Sequence, residues 1–139
     1  MTILVDSREQ TPYTFEVASR VQGMETGDYS IEGREDQVRV ERKSFGDLFG
    51  CLTARLPAFK DQLRRLVKYP YHTLLLDTSV EAVLMGSIHC KLPGAEALSR
   101  LMGVCLDVGI APVFCGRHGA KCCQVWLAHV ERKLRDARS

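Results

Sequence analysis

Gly27-Asp28-Tyr29-Ser30-Ile31-Glu32-Gly33-Arg34-Glu35-Asp36-Gln37-Val38-Arg39-Val40-Glu41-Arg42-Lys43-Ser44 is the stretch on which the fold turns. The polar turn Gly33–Asp36 separates two runs, 28–32 and 37–43, that read as the arms of a hairpin. Side chains alternate across a strand, so Val38, Val40 and Arg42 share one face and Arg39, Glu41 and Lys43 the other. Ser44 followed by Asp47 is a capping-box pattern that opens a helix carrying Phe45, Leu48, Phe49 and Leu52.

Upstream, Thr2–Val5 is a short apolar strand ending at Asp6, Gln10-Thr11-Pro12 is a breaker, and Phe15–Val21 reads as a weak second strand. Downstream, a helix is expected over Leu56–Tyr69. Its apolar stripe is Phe59, Leu63, Leu66 and Val67, and Lys60, Arg64, Arg65 and Lys68 lie outside it. Pro70 stops this helix. His72–Asp77 is almost continuously apolar, the mark of a central strand covered on both faces. A short helix over Val80–Ile88, a longer one from Pro93-Gly94, a strand over Ile110–Cys115 and a final helix over Ala120–Arg135 complete the chain, with the basic tail Arg132–Arg138 expected to fray. Strands first and then alternating helices and strands predict a mixed sheet with helices on both faces, in one domain over 1–139.

With 45% hydrophobic and 26% charged residues the chain reads as globular, not disordered. A net charge of +2 is too small to argue for nucleic acid in bulk, so any binding face must come from local clustering. Met1–Val5 runs straight into charged residues, so no signal peptide is expected, and no apolar run approaches the roughly 18 residues of a membrane helix. The expected location is intracellular: cytoplasmic in a prokaryotic or viral setting, nuclear in a eukaryotic one. The six cysteines, 51, 90, 105, 115, 122 and 123, form no CxxC pair and are expected as free thiols. Cys115, His118, Cys122 and Cys123 are the one set from which a zinc site can be assembled on paper.

The chemistry lies on the strand before Ser44. Glu41 and Lys43 leave the same face about 6–7 Å apart. A carboxylate there can hold a hard divalent cation, and an ammonium beside it can orient a water and offset charge on a phosphate. Asp28, on the preceding strand, can reach the same cation, and Asp6 can add a further carboxylate. Each piece also has a plainer reading. Glu41 and Lys43 fit a solvated strand face, Asp47 a helix cap, Asp6 a strand end, and Arg8 with Glu9 a surface pair.

Together these residues resemble the signature of the XPF-type structure-specific nucleases: Gly27-Asp28, then twelve residues, Glu41-Arg42-Lys43, three more, and Asp47. Val5-Asp6-Ser7-Arg8-Glu9 resembles the opening motif of that family. Arg55 with Gln62, Arg65 and Leu66 is similar to its arginine-bearing helix, and Leu74–Asp77 to its apolar strand. The resemblance implies a restriction-endonuclease-like three-layer α/β/α sandwich with a central mixed sheet. It implies a metal-dependent DNA endonuclease that uses Mg²⁺ or Mn²⁺ and leaves a 5′-phosphate, acting at flaps, forks or junctions in repair or recombination. In that reading Asp28 and Glu41 bind the metal and Lys43 acts on the water or the phosphate. Asp6, Glu9, Arg42 and Asp47 complete the site, and Arg8, Arg55 and Arg65 contact DNA. The family also implies a homodimer or a pairing with another chain. Its tandem helix-hairpin-helix module is expected to be absent from residues 1–139.

Two other functions are to be weighed against this one. A non-catalytic DNA-binding or scaffolding partner of an active nuclease generally loses the acidic set that stands here. A zinc-binding interaction domain would need the cysteines near the C-terminus. The cations of the second helix fit either DNA contact or a solvated face.

Overall fold

The computed structural model describes residues 1–137 and has the order β1 (Ile3–Asp6), β2 (Ser19–Gln22), β3 (Tyr29–Ile31), β4 (Val38–Ser44), α1 (Phe45–Cys51), α2 (Leu56–Leu66), β5 (Tyr71–Asp77), α3 (Val80–Met85), α4 (Gly94–Val108), β6 (Pro112–Phe114) and α5 (Gly119–Asp136). The strands form one six-stranded sheet in the order β2-β1-β3-β4-β5-β6. The expected hairpin is there, with β3 antiparallel to β4 and Tyr29 opposite Val40. β3 is also antiparallel to β1, while β1–β2, β4–β5 and β5–β6 are parallel, so the sheet is mixed.

The alternation on β4 sorts the two cores. Val38 and Val40 pack with Ile3, Tyr29, Leu75 and the inner face of α5, Cys123, Leu127, Val130 and Leu134. On the other face Leu74 and Leu76 meet α1 to α4 through Leu48, Phe49, Phe59, Leu63, Val83 and Leu101. The result is a three-layer α/β/α sandwich. Because β1, β4 and β5 all end at one edge of the sheet and β3 enters from it, Asp6, Asp28, Glu41–Ser44 and Asp77 gather there.

Boundaries differ from expectation in a few places. The second strand starts at Ser19, because the segment around Tyr13 and Phe15 instead packs its rings on Tyr29. α2 ends at Leu66, and α3 ends at Met85, where Gly86 turns the chain at φ 79°. Arg132–Asp136 continue α5 rather than fraying, and the last basic residue of that tail, Arg138, lies outside the described residues. Among the described residues no helix is long and apolar enough to cross a membrane.

The start of α5 is set by close approach. A Cβ at Gly119 would run into Asp77 Oδ1 and the Tyr13 hydroxyl. At Gly103, within α4, an added Cβ meets nothing within 4 Å. Gly119→Ala is therefore expected to destabilise the protein by about 1–3 kcal/mol through overpacking. Gly103→Ala is expected to stabilise it by about 0.5–1 kcal/mol through helix propensity. Urea unfolding of both variants checks the contrast, and equal effects would contradict it.

Candidate active site

Asp28 is fixed by its backbone before its side chain is considered. Its N–H donates to Val40 O at 2.7 Å and its carbonyl accepts from Asp6 N–H at 2.9 Å, so it is stitched between β1 and β4. Gly27 allows this approach. Its φ of 82° is a left-handed conformation, and a side chain there would press on Val40 O and the Arg39 stem. The carboxylate then accepts from the Arg42 backbone N–H at 2.8 Å.

Glu41 is 2% exposed, and Lys43 Nζ lies 3.3 Å from its Oε1 on the same face of β4. Asp28, Glu41 and Lys43 line one polar cavity of about 290 Å³, with Asp6, Arg8, Glu9, Arg42 and Asp47 also on its wall. Burial, and then the charge of Glu41, push the Asp28 carboxyl up to about 8. Burial pushes Glu41 up as well, against the pull of Lys43. Burial works against the Lys43 charge, but Glu41 and neighbouring groups more than offset it, and the ammonium is held above its usual range. The cavity thus holds two buried carboxyls joined by a hydrogen bond, whose charges repel once both ionise, and one firmly protonated amine.

The other expected residues take distinct places. Asp6, 2% exposed, has both oxygens engaged: Oδ1 accepts from Met24 N–H at 2.8 Å and Oδ2 from Arg8 Nε at 2.8 Å. Burial opposes its charge, yet these bonds hold its carboxyl below the usual range. Asp6 therefore ties the Arg8 turn to the segment that leads into Asp28, and the mostly exposed Arg8 stands at the cavity rim. The Asp47 backbone N–H donates to Ser44 Oγ at 3.2 Å, the serine half of the expected capping box, and Asp47 also stands on the cavity wall.

Arg42 and Glu9 line the cavity but are held from the opposite face of β4. Arg42 Nε donates to Asp77 Oδ2 at 2.6 Å and Nη1 to Glu9 Oε2 at 3.2 Å, and the guanidinium lies 4.0 Å from the Tyr13 ring centroid. Tyr29 donates to Glu9 at 2.8 Å and Tyr13 to Asp77 at 2.5 Å. Tyr13 and Tyr29 lie outside the sequence-read set because their partners are 64 and 20 residues away. Asp77 carried one signal, an acid closing an apolar strand. Arg55 is not brought to the cavity. It donates to Asp47 O at 3.3 Å and pins the turn between α1 and α2.

Among the described residues no three His, Cys, Asp or Glu side chains form a metal-holding group. For the zinc set the geometry is that of buried thiols: Cys123 is fully buried, and burial pushes the Cys115 thiol up to about 12. For Asp28 and Glu41, two carboxylates are what a magnesium ion takes from a protein when water and phosphate fill the remaining positions.

The raised Asp28 carboxyl has a consequence for stability. In the metal-free folded protein it keeps its proton to about pH 8, whereas an unfolded chain releases it near 3.8. Between those values the native state binds more protons, so this group makes stability fall as pH rises. Asparagine keeps the acceptor for the Arg42 N–H, keeps a donor toward Glu41 and cannot ionise. Asp28→Asn is expected to raise the metal-free Tm at pH 8 by about 5–10 °C, a gain on the order of 2 kcal/mol, and to have no effect near pH 4. Calorimetry across that range is the check, and a gain that does not depend on pH would contradict the repulsion.

No protein-family model and no curated protein sequence matches the chain. Solved structures do. XPF from Aeropyrum pernix superposes with a TM-score of 0.70 at 20% identity, over 99% of this chain and 69% of that one. A structure of XPF from Aeropyrum pernix in complex with DNA matches with a TM-score of 0.69 at 21% identity, over 95% of this chain and 65% of that one. The chain therefore has the restriction-endonuclease-like α/β/α fold of an XPF-type nuclease domain.

Proposed function

We propose that the protein is a divalent-metal-dependent DNA endonuclease that hydrolyses phosphodiester bonds. Branched DNA met in repair or recombination is its preferred substrate. The observation that carries this reading is the convergence of Asp28, Glu41 and Lys43 on one cavity. Two carboxyls raised by burial, Asp28 further by the charge of Glu41, are a pair that a cation would relieve, and the donors are the hard oxygens that Mg²⁺ or Mn²⁺ prefers. When bound, such an ion supplies Lewis-acid polarisation of a phosphoryl oxygen and a charge that offsets the negative charge of the transition state.

The protein's own groups have separable tasks. Asp28, held by the Arg42 N–H at the entry to β3, and Glu41, held by Lys43 on β4, present oxygens from neighbouring segments. Lys43, held protonated beside Glu41 in the metal-free protein, is placed to stabilise charge on the scissile phosphate and to hold a water by donation. Arg8, aimed by Asp6 and by its bond to Met24 O at 2.5 Å, clamps a phosphate at the rim. Glu9 and Arg42 brace the wall between them, and Asp47 has a free carboxylate with which to place a water. A second copy or another chain completes the grip on duplex DNA. The match to a DNA-bound relative of the same fold supports DNA as the ligand.

The test is cleavage of labelled single-stranded, duplex, flap and fork DNA with Mg²⁺ or Mn²⁺ at several protein concentrations. Wild type is expected to cut, with flap or fork preferred and the rate rising more than linearly with concentration. Asp28→Ala and Lys43→Ala are each expected to lower kcat by about 10²–10³-fold, the usual loss for a group that stabilises transition-state charge. Cleavage that survives both substitutions would sink the assignment. DNA binding without any cleavage would favour the scaffolding reading.

A further inference from the structure

The four cations of α2 and its C-terminal turn are equivalent in the sequence but not in the fold. Lys60 Nζ pairs with Asp107 at 3.0 Å, and Arg64 Nη1 pairs with Asp61 at 3.1 Å. Both line a largely apolar hollow between α2 and α4, away from Asp28 and Glu41. Arg65 and Lys68 have no ion pair among the described residues. They line a second cavity of about 300 Å³ together with Thr26, Asp36 and Tyr69. That cavity adjoins the active-site cavity, since Thr26 and Arg65 belong to the walls of both.

Beneath it lies a third cation. Arg39 leaves β4 on the same face as Glu41 and Lys43 and is only 9% exposed. Its Nε donates to Glu35 O at 3.0 Å and its Nη1 to Thr26 O at 2.9 Å, and its guanidinium lies 4.8 Å from the Tyr69 ring centroid. No carboxylate pairs with it among the described residues. Glu35 feels the Arg39 charge without pairing to it, and with the backbone carbonyls and an aromatic face it offsets only part of the cost of burying that charge. Asp36, the one acid on this wall, is exposed and makes no ion pair with any of the three among the described residues. The field in this cavity is therefore positive and aimed at an incoming anion.

We propose that Arg65 and Lys68, over the buried Arg39 and beside Tyr69, form a phosphate subsite that holds the DNA backbone on one side of the scissile position. This rests on the reading of the Asp28–Glu41 cavity as a DNA nuclease site. A further polar cavity of about 350 Å³ lined by Arg8, Gln10 and Thr11 shares Arg8, Glu9, Arg42 and Asp47 with the active-site cavity, so the active-site cavity adjoins one cavity through Arg8 and the other through Arg65. Recognition here is of backbone charge, without base readout.

Two double variants separate the subsite from bulk charge, because each removes two cations from the same short stretch. Binding of labelled duplex and fork DNA is measured without divalent metal over a range of KCl concentrations. Arg65→Ala/Lys68→Ala is expected to reduce the slope of log Kd against log salt by about two, roughly one for each phosphate contact, and to do so equally for unrelated sequences. Lys60→Ala/Arg64→Ala is expected to leave the slope within about half a unit of wild type. Equal losses in both variants, or none in the first, overturn the subsite. Cleavage of the same DNA by wild type with Mg²⁺ is measured in parallel. An inactive wild type with the slope difference intact overturns the nuclease reading and keeps the subsite. An active wild type with equal slopes overturns the subsite alone. Failure of wild type to bind DNA overturns both.

Discussion

Two carboxyl groups are buried against each other in one cavity. Asp28 and Glu41 share a cavity wall; burial raises both carboxyls, the charge of Glu41 raises Asp28 further, and a hydrogen bond from Asp28 pulls Glu41 part of the way back. The hydrogen bond between them offsets only part of the cost of burying both, so the rest of the molecule must hold the pair. Asp28 is clamped by backbone bonds to β1 and β4, and Glu41 sits on a strand that is paired in register with β5 along seven positions. The main-chain ladder, which is indifferent to side-chain charge, keeps the carboxylates at a spacing they would not choose.

The opposite face of the same strand carries the compensating network. Arg42 donates its backbone N–H to Asp28, while its guanidinium reaches through the sheet edge to Asp77 and Glu9. Tyr13 and Tyr29 close the ring of partners. Every polar member of that network has a hydrogen-bond partner, and among the described residues no buried side-chain nitrogen or oxygen is left without one. Glu41 and Lys43 are thus free to face the cavity because their neighbour Arg42 is fully occupied behind them. A signature of three consecutive charged residues is resolved by the pleat into two chemical surfaces and two tasks.

Much of the fold was legible because its period is local. The alternation on β4 correctly assigned Val38 and Val40 to one core and Glu41 and Lys43 to the other face, and the apolar run 72–77 read as the central strand that β5 is. Ser44 and Asp47 announced α1 through a cap that spans only three residues. The candidate site was legible in part for the same reason, since Glu41 and Lys43 are two residues apart. Tyr13 could not be read this way, because its partners Tyr29 and Asp77 are brought to it by strand order and not by spacing. Arg55 shows the converse: a residue picked out by motif faces the α1–α2 turn and not the cavity.

The sequence by itself determined the sheet-and-helix pattern, the face on which Glu41 and Lys43 sit, and the proximity of an acid at position 28, because each depends on dihedral periodicity and short-range hydrogen bonding. Only the tertiary structure decided which charges stand alone. Arg64 pairs locally with Asp61, three residues away, but Lys60, Arg65 and Lys68 look alike along the chain until α4 supplies Asp107 to the first and the last two open onto a cavity above the buried Arg39. Charge pairing depends on what lies within about 4 Å across the fold, and a linear sequence does not encode that distance until the sheet has closed.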